Sequence, residues 1–347
     1  MRPPISVLLN AEYPTAKLVE LGRLSEQVGY SALWYTDLRF SPDCFIGFAA
    51  IAAATSRIKL GPGVVDPYSR HPSAIASAIA TLDDMTGGRA ILGLGIGGNG
   101  LKELGIERKL PVAAMREAVE MIRGLLDGGE YVAQGKVISL GKAKLSIRPV
   151  QQRIPIYFAT HGAQITKLAG QVADGLLVAN TLNPTAFDFY VKQLEEGMAK
   201  AGRPAGAVDV GLRVEACISN DDAAAFAVMR KRVTSRVLSQ YPHWEYLDAV
   251  GIKLPDAFVE IAKRPDGAKA VGEAAPLMPR AVVESMVIAG NAESCAEQLA
   301  RGLGPRITHL TMRPHAAPGE DVANVVRAFA EDVMPRVFRI KESAQTG

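Results

Sequence analysis

The chain has 347 residues, 48% of them apolar and 22% charged, with a formal net charge of +3. That balance excludes a disordered chain and supplies a large core; an elaborated α/β barrel reaches such a length as one domain. With no long basic run, little aromatic interleaving and no apolar stretch of about 18 residues, neither nucleic acid nor a membrane is an expected partner.

Short β-branched apolar runs alternate with longer stretches at helical spacing, which predicts parallel strands joined by crossover helices. Strands are expected at 5–10, 32–36, 58–65, 90–96, 154–160, 175–179, 208–218 and 307–312. Eight is the count of a (β/α)8 TIM barrel, so the expected class is α/β, with residues 1–347 forming a single domain. Helix punctuation agrees. Pro14-Thr15 opens a helix that Gly29 closes, Pro72 opens one that ends at Gly87-Gly88, and Asn183-Pro184 starts one running to Gly202. Around Gly135 and Gly141, between 130 and 148, the helical period gives way to alternation and predicts a β-hairpin. Residues 241–280, with five prolines, read as an insertion between strands seven and eight, either a lid or an inert surface excursion. Cys44, Cys217 and Cys295 have no paired spacing, and the N-terminal apolar run is too short for a signal peptide; both fit a cytoplasmic protein.

The run Gly93-Leu-Gly-Ile-Gly-Gly98 matches G-x-G-x-x-G, but it follows the fourth strand and not the first, which argues against a dinucleotide-binding domain. Glycines there either let backbone approach a ligand or make a tight turn beside Asn99-Gly100. Leu60-Gly-Pro-Gly-Val-Val-Asp-Pro67 signals irregular backbone at the end of strand three, as a bulge or as simple strand termination. After strand five, Thr160-His161-Gly162-Ala163-Gln164 enters a helix through small residues; this is either an ordinary helix start or a place for phosphate on free N–H groups. Histidines 71, 161 and 315 fall near strand ends without metal-ligand spacing, so no metal is expected, and no G-x-S-x-G elbow suggests hydrolysis. Glu12, Asp37 and Asp66 each follow an apolar strand. A carboxyl group in an apolar mouth can serve as a proton donor.

Leu60-Gly-Pro-Gly-Val-Val-Asp-Pro-Tyr-Ser-Arg-His-Pro72 with Thr81-Leu-Asp-Asp-Met-Thr-Gly-Gly-Arg-Ala-Ile-Leu-Gly-Leu-Gly95 resembles the bacterial-luciferase-like superfamily, and within it the 5,10-methylenetetrahydromethanopterin reductase branch. The resemblance implies a homodimer or homotetramer that binds coenzyme F-420 or FMN at the carboxyl ends of the strands. It implies a non-prolyl cis peptide at Gly63–Val64. It also implies that Asp37, Gly63, Val64, Asp66, Ile96, Gly97 and Gly98 line the ring and side-chain path, with the phosphate on Gly162, Ala163 and Gln164 beside Thr160 and His161. Relatives commonly carry Asp-His after the second strand, where this chain has Asp37-Leu38, and the first-strand acid of the reductase branch is replaced by Leu8, Leu9 and Asn10. The expected activity is hydride transfer from the reduced ring to a one-carbon pterin carrier, with Asp37 or Glu12 handling a proton. The alternatives are an FMN-dependent monooxygenase fed by a flavin reductase, and a cofactor-binding protein without turnover.

Overall fold

The computed structural model describes residues 3–97, 100–160, 162–248 and 251–346. Its strands are β1 (Ile5–Leu9), β2 (Ala32–Tyr35), β3 (Lys59–Pro62), β4 (Leu92–Leu94), β5 (Tyr131–Gln134), β6 (Ser139–Ala143), β7 (Ile156–Ala159), β8 (Gly175–Ala179), β9 (Asp209–Ile218), β10 (Val287–Gly290) and β11 (His309–Pro314). The chain divides into two compact units. One comprises Pro4–Val178 and Lys192–Gly211, the other Met1–Pro3, Ala179–Val191 and Leu212–Gly347.

In the N-terminal unit the strands lie side by side in chain order. β1 pairs with β2, β2 with β3, β4 with β7 and β7 with β8, all parallel. Parallel bridges Leu60↔Ala90 and Val65↔Leu94 join β3 to β4. Glycine makes that junction possible, because a Cβ on Gly61 would stand 2.0 Å from the Ile91 carbonyl and one on Gly93 2.2 Å from the Pro62 carbonyl. Four of the predicted helix boundaries are realised: helices span Thr15–Gln27 and Pro72–Thr86, followed by Gly29 at φ 91° and Gly87 at φ 62°. The helix Cys44–Ala52 starts on Asp43, whose carboxylate accepts from the amides of Phe45 and Ile46 at 2.9 and 3.1 Å. The predicted hairpin is antiparallel β5–β6. Glu117, on the helix Pro111–Leu126, ties its turn down by accepting from the amides of Lys136, Val137 and Ile138.

In the C-terminal unit β9 pairs with β10 in parallel, from Glu215↔Val287 to Ile218↔Gly290. β10 is absent from the sequence-based expectation, since four apolar residues inside a proline-rich stretch carry too little pattern to separate strand from helix. The last strand begins two residues later than expected, because the apolar run at Ile307 precedes the residues that pair. The insertion is no inert excursion. Its helices Asp256–Lys263 and Arg280–Glu284 bury Phe258, Ile261, Val282 and Val283 with Met229, Val233 and Val237 of the helix Asp222–Ser239. Burying a side chain such as Phe258 stabilises by about 2–3 kcal/mol, which anchors the segment through its own apolar spacing. No helix among the described residues is long and apolar enough to cross a membrane.

Candidate active site

At the end of β3 the Gly63–Val64 peptide is cis, as the resemblance implies. Residue 63 must lack a side chain, because a Cβ there would lie 2.9 Å from both Leu8 Cδ1 and Trp34 Cβ. Leu8 and Trp34 belong to an apolar cluster with Ala32, Ile91 and Leu177, against which Tyr157 and Ala159 pack. Val64 stands over the next strand, with Cγ2 2.6 Å from where a Cβ of Gly95 would be. The sequence therefore builds a ledge of glycine and aliphatic residues above an apolar floor, with Gly63, Val64, Ile96 and Gly97 half-buried and Gly95 buried. A flat, largely apolar ring system fits such a surface.

Beside this ledge the acids are held in ion pairs. Asp37, 7% exposed, takes both Nε and Nη2 of Arg70 at 2.8 and 2.9 Å, and the same guanidinium reaches Asp43 at 2.6 Å. The hydrogen bond to Asp37 is the main cause that raises the Arg70 pKa. Arg39 donates to the Asp37 carbonyl and to Ser69 Oγ and forms an ion pair with Asp66. Asp66, 1% exposed, also accepts from the amides of Tyr68 and Ser69 at 2.9 Å each and from Ser69 Oγ at 2.8 Å. Asp37 thus orients Arg70, and Asp66 builds the turn that leads to the helix Pro72–Thr86. Glu12 is exposed and accepts from Asn10 Nδ2. Arg39 and Arg70 escaped the sequence reading; Arg70 stood inside the quoted motif, but its two acidic partners are 33 and 27 residues away. His71 turned out to cap its helix, with Nδ1 accepting from the Ser73 amide.

The helix Ala163–Val172 has Gly162 as its N-cap and no side-chain cap, while Thr160 Oγ1 accepts from the Gly162 amide at 3.0 Å. A Cβ on exposed Gly162 would meet nothing nearer than Thr160 Oγ1 at 3.8 Å. No side chain caps this helix start, which leaves its first amides available to an anion. Gly98 and His161 lie outside the described residues.

The C-terminal unit holds a second polar cluster that sequence reasoning missed. Glu215, with its side chain 1% exposed, accepts from Arg232 Nε at 2.6 Å and Asn180 Nδ2 at 2.9 Å, lies 2.7 Å from His315 Nε2, and has Arg313 at 3.7 Å. Burial alone would raise its pKa, but His315, Arg313 and Arg232 together hold it well below the usual carboxylate value. Arg213, two residues earlier on β9, is pulled down to about 9 by burial and by Arg236, Arg313 and Arg232. Alternation placed both residues on one face of a strand, but nothing in the sequence tied them to residues about 100 positions on.

A family profile described as luciferase-like monooxygenase matches residues 4–307. The chain is 33% identical over 316 residues to a 5,10-methylenetetrahydromethanopterin reductase of Methanolobus tindarius, covering 89% of this chain and 94% of that one. It is 25% identical over 336 residues to an F420-dependent glucose-6-phosphate dehydrogenase of Microbacterium testaceum, covering 92% and 93%. Among solved structures, the coenzyme F420-dependent tetrahydromethanopterin reductase of Methanopyrus kandleri superposes with a TM-score of 0.84 at 29% identity, over 97% of this chain and all of that one. That likeness shows the fold expected from the strand count, a (β/α)8 barrel.

Proposed function

Because the chain belongs to the luciferase-like monooxygenase family, we propose that it is an oxidoreductase using coenzyme F420, which transfers hydride to a one-carbon pterin carrier of the methylenetetrahydromethanopterin or methylenetetrahydrofolate type. The observation that carries this reading is the similarity along nearly the whole chain to reductases of that name, at 33% and 30% identity. The ledge at Gly63–Val64 and the uncapped helix start at Gly162–Gln164 support it, since they offer a support for a ring and backbone donors for a phosphate.

When bound, the reduced deazaflavin supplies the hydride. The chain's part is to orient and exclude. Gly63, Val64, Ile96 and Gly97 hold the ring face, while Ala163 and Gln164 amides hold the phosphate. Fixing donor and acceptor in near-attack geometry removes much of the entropic barrier. Arg70, held by Asp37 and Asp43, fixes the backbone of two strand-end segments beside the ledge. Asp37, or Glu12 three residues past β1, is the carboxyl group assigned to orient or supply the proton.

Purified protein mixed anaerobically with reduced F420 and either methylene carrier should oxidise the coenzyme; no turnover with either removes the pterin assignment. The family profile's description favours one other reading, an FMN-dependent monooxygenase supplied by a flavin reductase. Substrate oxidation that requires oxygen and FMN would select it. A homodimer or homotetramer and a cytoplasmic location belong to the same reading, and light scattering would measure the assembly.

A further inference from the structure

The N-terminal unit carries a groove of about 400 Å³ whose wall begins at Gln164, one residue into the helix that starts at the candidate phosphate position. Its lining is basic. Arg116 enters from the helix Pro111–Leu126, Lys167 from one turn beyond Gln164, and exposed Lys200 from the facing side, with Glu196 as the acid among them. Lys167 and Glu196 form an ion pair at 2.7 Å, and Arg116 donates to Gln171 Oε1 at 2.5 Å. That leaves the groove with two positive charges in excess and Arg116 held by a neutral partner. A second hollow of about 580 Å³ continues past Val112 and Arg116 towards Lys136.

We propose that this groove is a subsite for the anionic tail that coenzyme F420 carries beyond its phosphate, a chain of carboxylates that FMN lacks. The inference rests on the coenzyme reading above and deepens it, since it turns an ambiguity between two cofactors into a chemical difference. A phosphate on the Ala163 and Gln164 amides would leave the next atoms of the coenzyme at the mouth of the groove. Carboxylates spaced along a flexible tail match separate cations better than one compact cluster would. Half-buried Arg116 offers the geometry for two-point recognition of a carboxylate, while Lys200 offers a point charge further out. The ion pair of Lys167 with Glu196 keeps that lysine on the groove wall.

The test is a fluorescence titration of the intact protein with two forms of the deazaflavin, one carrying the oligoglutamyl tail and one ending at the phosphate. The tailed form should bind more tightly at low salt, and its advantage should shrink as salt rises. Arg116→Gln and Lys200→Gln should each raise the Kd of the tailed form by about threefold, and together by about tenfold, with the Kd of the tail-free form unchanged. Lys200 is exposed, so that variant probes the groove without a folding risk, and Arg301→Gln, 69% exposed on another surface, serves as the control. Equal Kd values for the two forms, or variants that weaken both alike, would overturn the subsite while leaving the coenzyme reading in place. Failure of both forms to bind would overturn the coenzyme reading and the subsite with it.

Discussion

The N-terminal unit shares three acids between two arginines, Asp37 and Asp43 on Arg70 and Asp66 on Arg39, whereas the C-terminal unit gathers Arg232, Arg313, His315 and Asn180 about one buried acid, Glu215. In the first arrangement each acid has its own arginine contact, and the guanidinium of Arg70 is still 29% exposed. The second concentrates its electrostatic risk at one side chain, because a buried charge is tolerated only while it is paired and hydrogen-bonded. Distributed, partly open pairs suit a place where a ligand comes and goes. A single buried hub suits a place where several elements must stay together.

The largest effect should come from breaking the hub. Glu215→Leu leaves Arg232 and His315 facing each other without the carboxylate, and should cost about 3–5 kcal/mol in urea unfolding. Its pH dependence sharpens the point. The folded-state pKa of Glu215 is depressed, so its contribution is fully present above the unfolded value of about 4.3 and is lost as pH falls through the lower folded value. Acid unfolding curves should therefore be steeper below about pH 4 for the wild type than for the Leu variant; superimposable curves would remove Glu215 as the hub.

Gly63→Ala should come next, at about 3 kcal/mol, because its Cβ would press on Leu8 and Trp34 at 2.9 Å in a packed floor. Ring binding should weaken in parallel, and a variant that is stable and binds normally would show the ledge to be incidental. Arg70→Met, in the region of distributed pairs, removes two charge-assisted bonds from Asp37 and one from Asp43 but opens the acids to water, and thermal unfolding should report about 2 kcal/mol. A cost as large as that of Glu215→Leu would erase the contrast between the two regions. The smallest effect is expected for Leu38→His, which restores the Asp-His pair of relatives at a side chain 38% exposed. Stability should move by less than about 0.5 kcal/mol, so any change in the pH profile of turnover would be chemical.

Much of the ledge was legible because glycine and proline punctuate locally: Gly61, Gly63, Gly93 and Gly95 marked irregular backbone, although strand termination or a tight turn fitted the same residues. The helix start at Gly162–Gln164 was legible for the same reason. Arg70 and Arg39 were not, since an arginine carries no local signature of its partner and Asp37 lies 33 residues from Arg70. The insertion was legible as an interruption but not as core, because the helices in and at the end of it are only 4, 8, 4 and 5 residues long and pack on a distant helix.

By itself the sequence determined the alternation of strand and helix, the count of eight strands, the hairpin and the glycine positions at the strand ends, because each of these depends on residues within a few positions of one another. Only the tertiary structure decided which charges meet: Arg70 with Asp37 and Asp43, Glu215 with Arg232 and His315, and Arg116, Lys167 and Lys200 along one groove. Electrostatic partners are chosen by distance in space, and a parallel α/β fold brings strand ends together from segments that lie far apart in the chain.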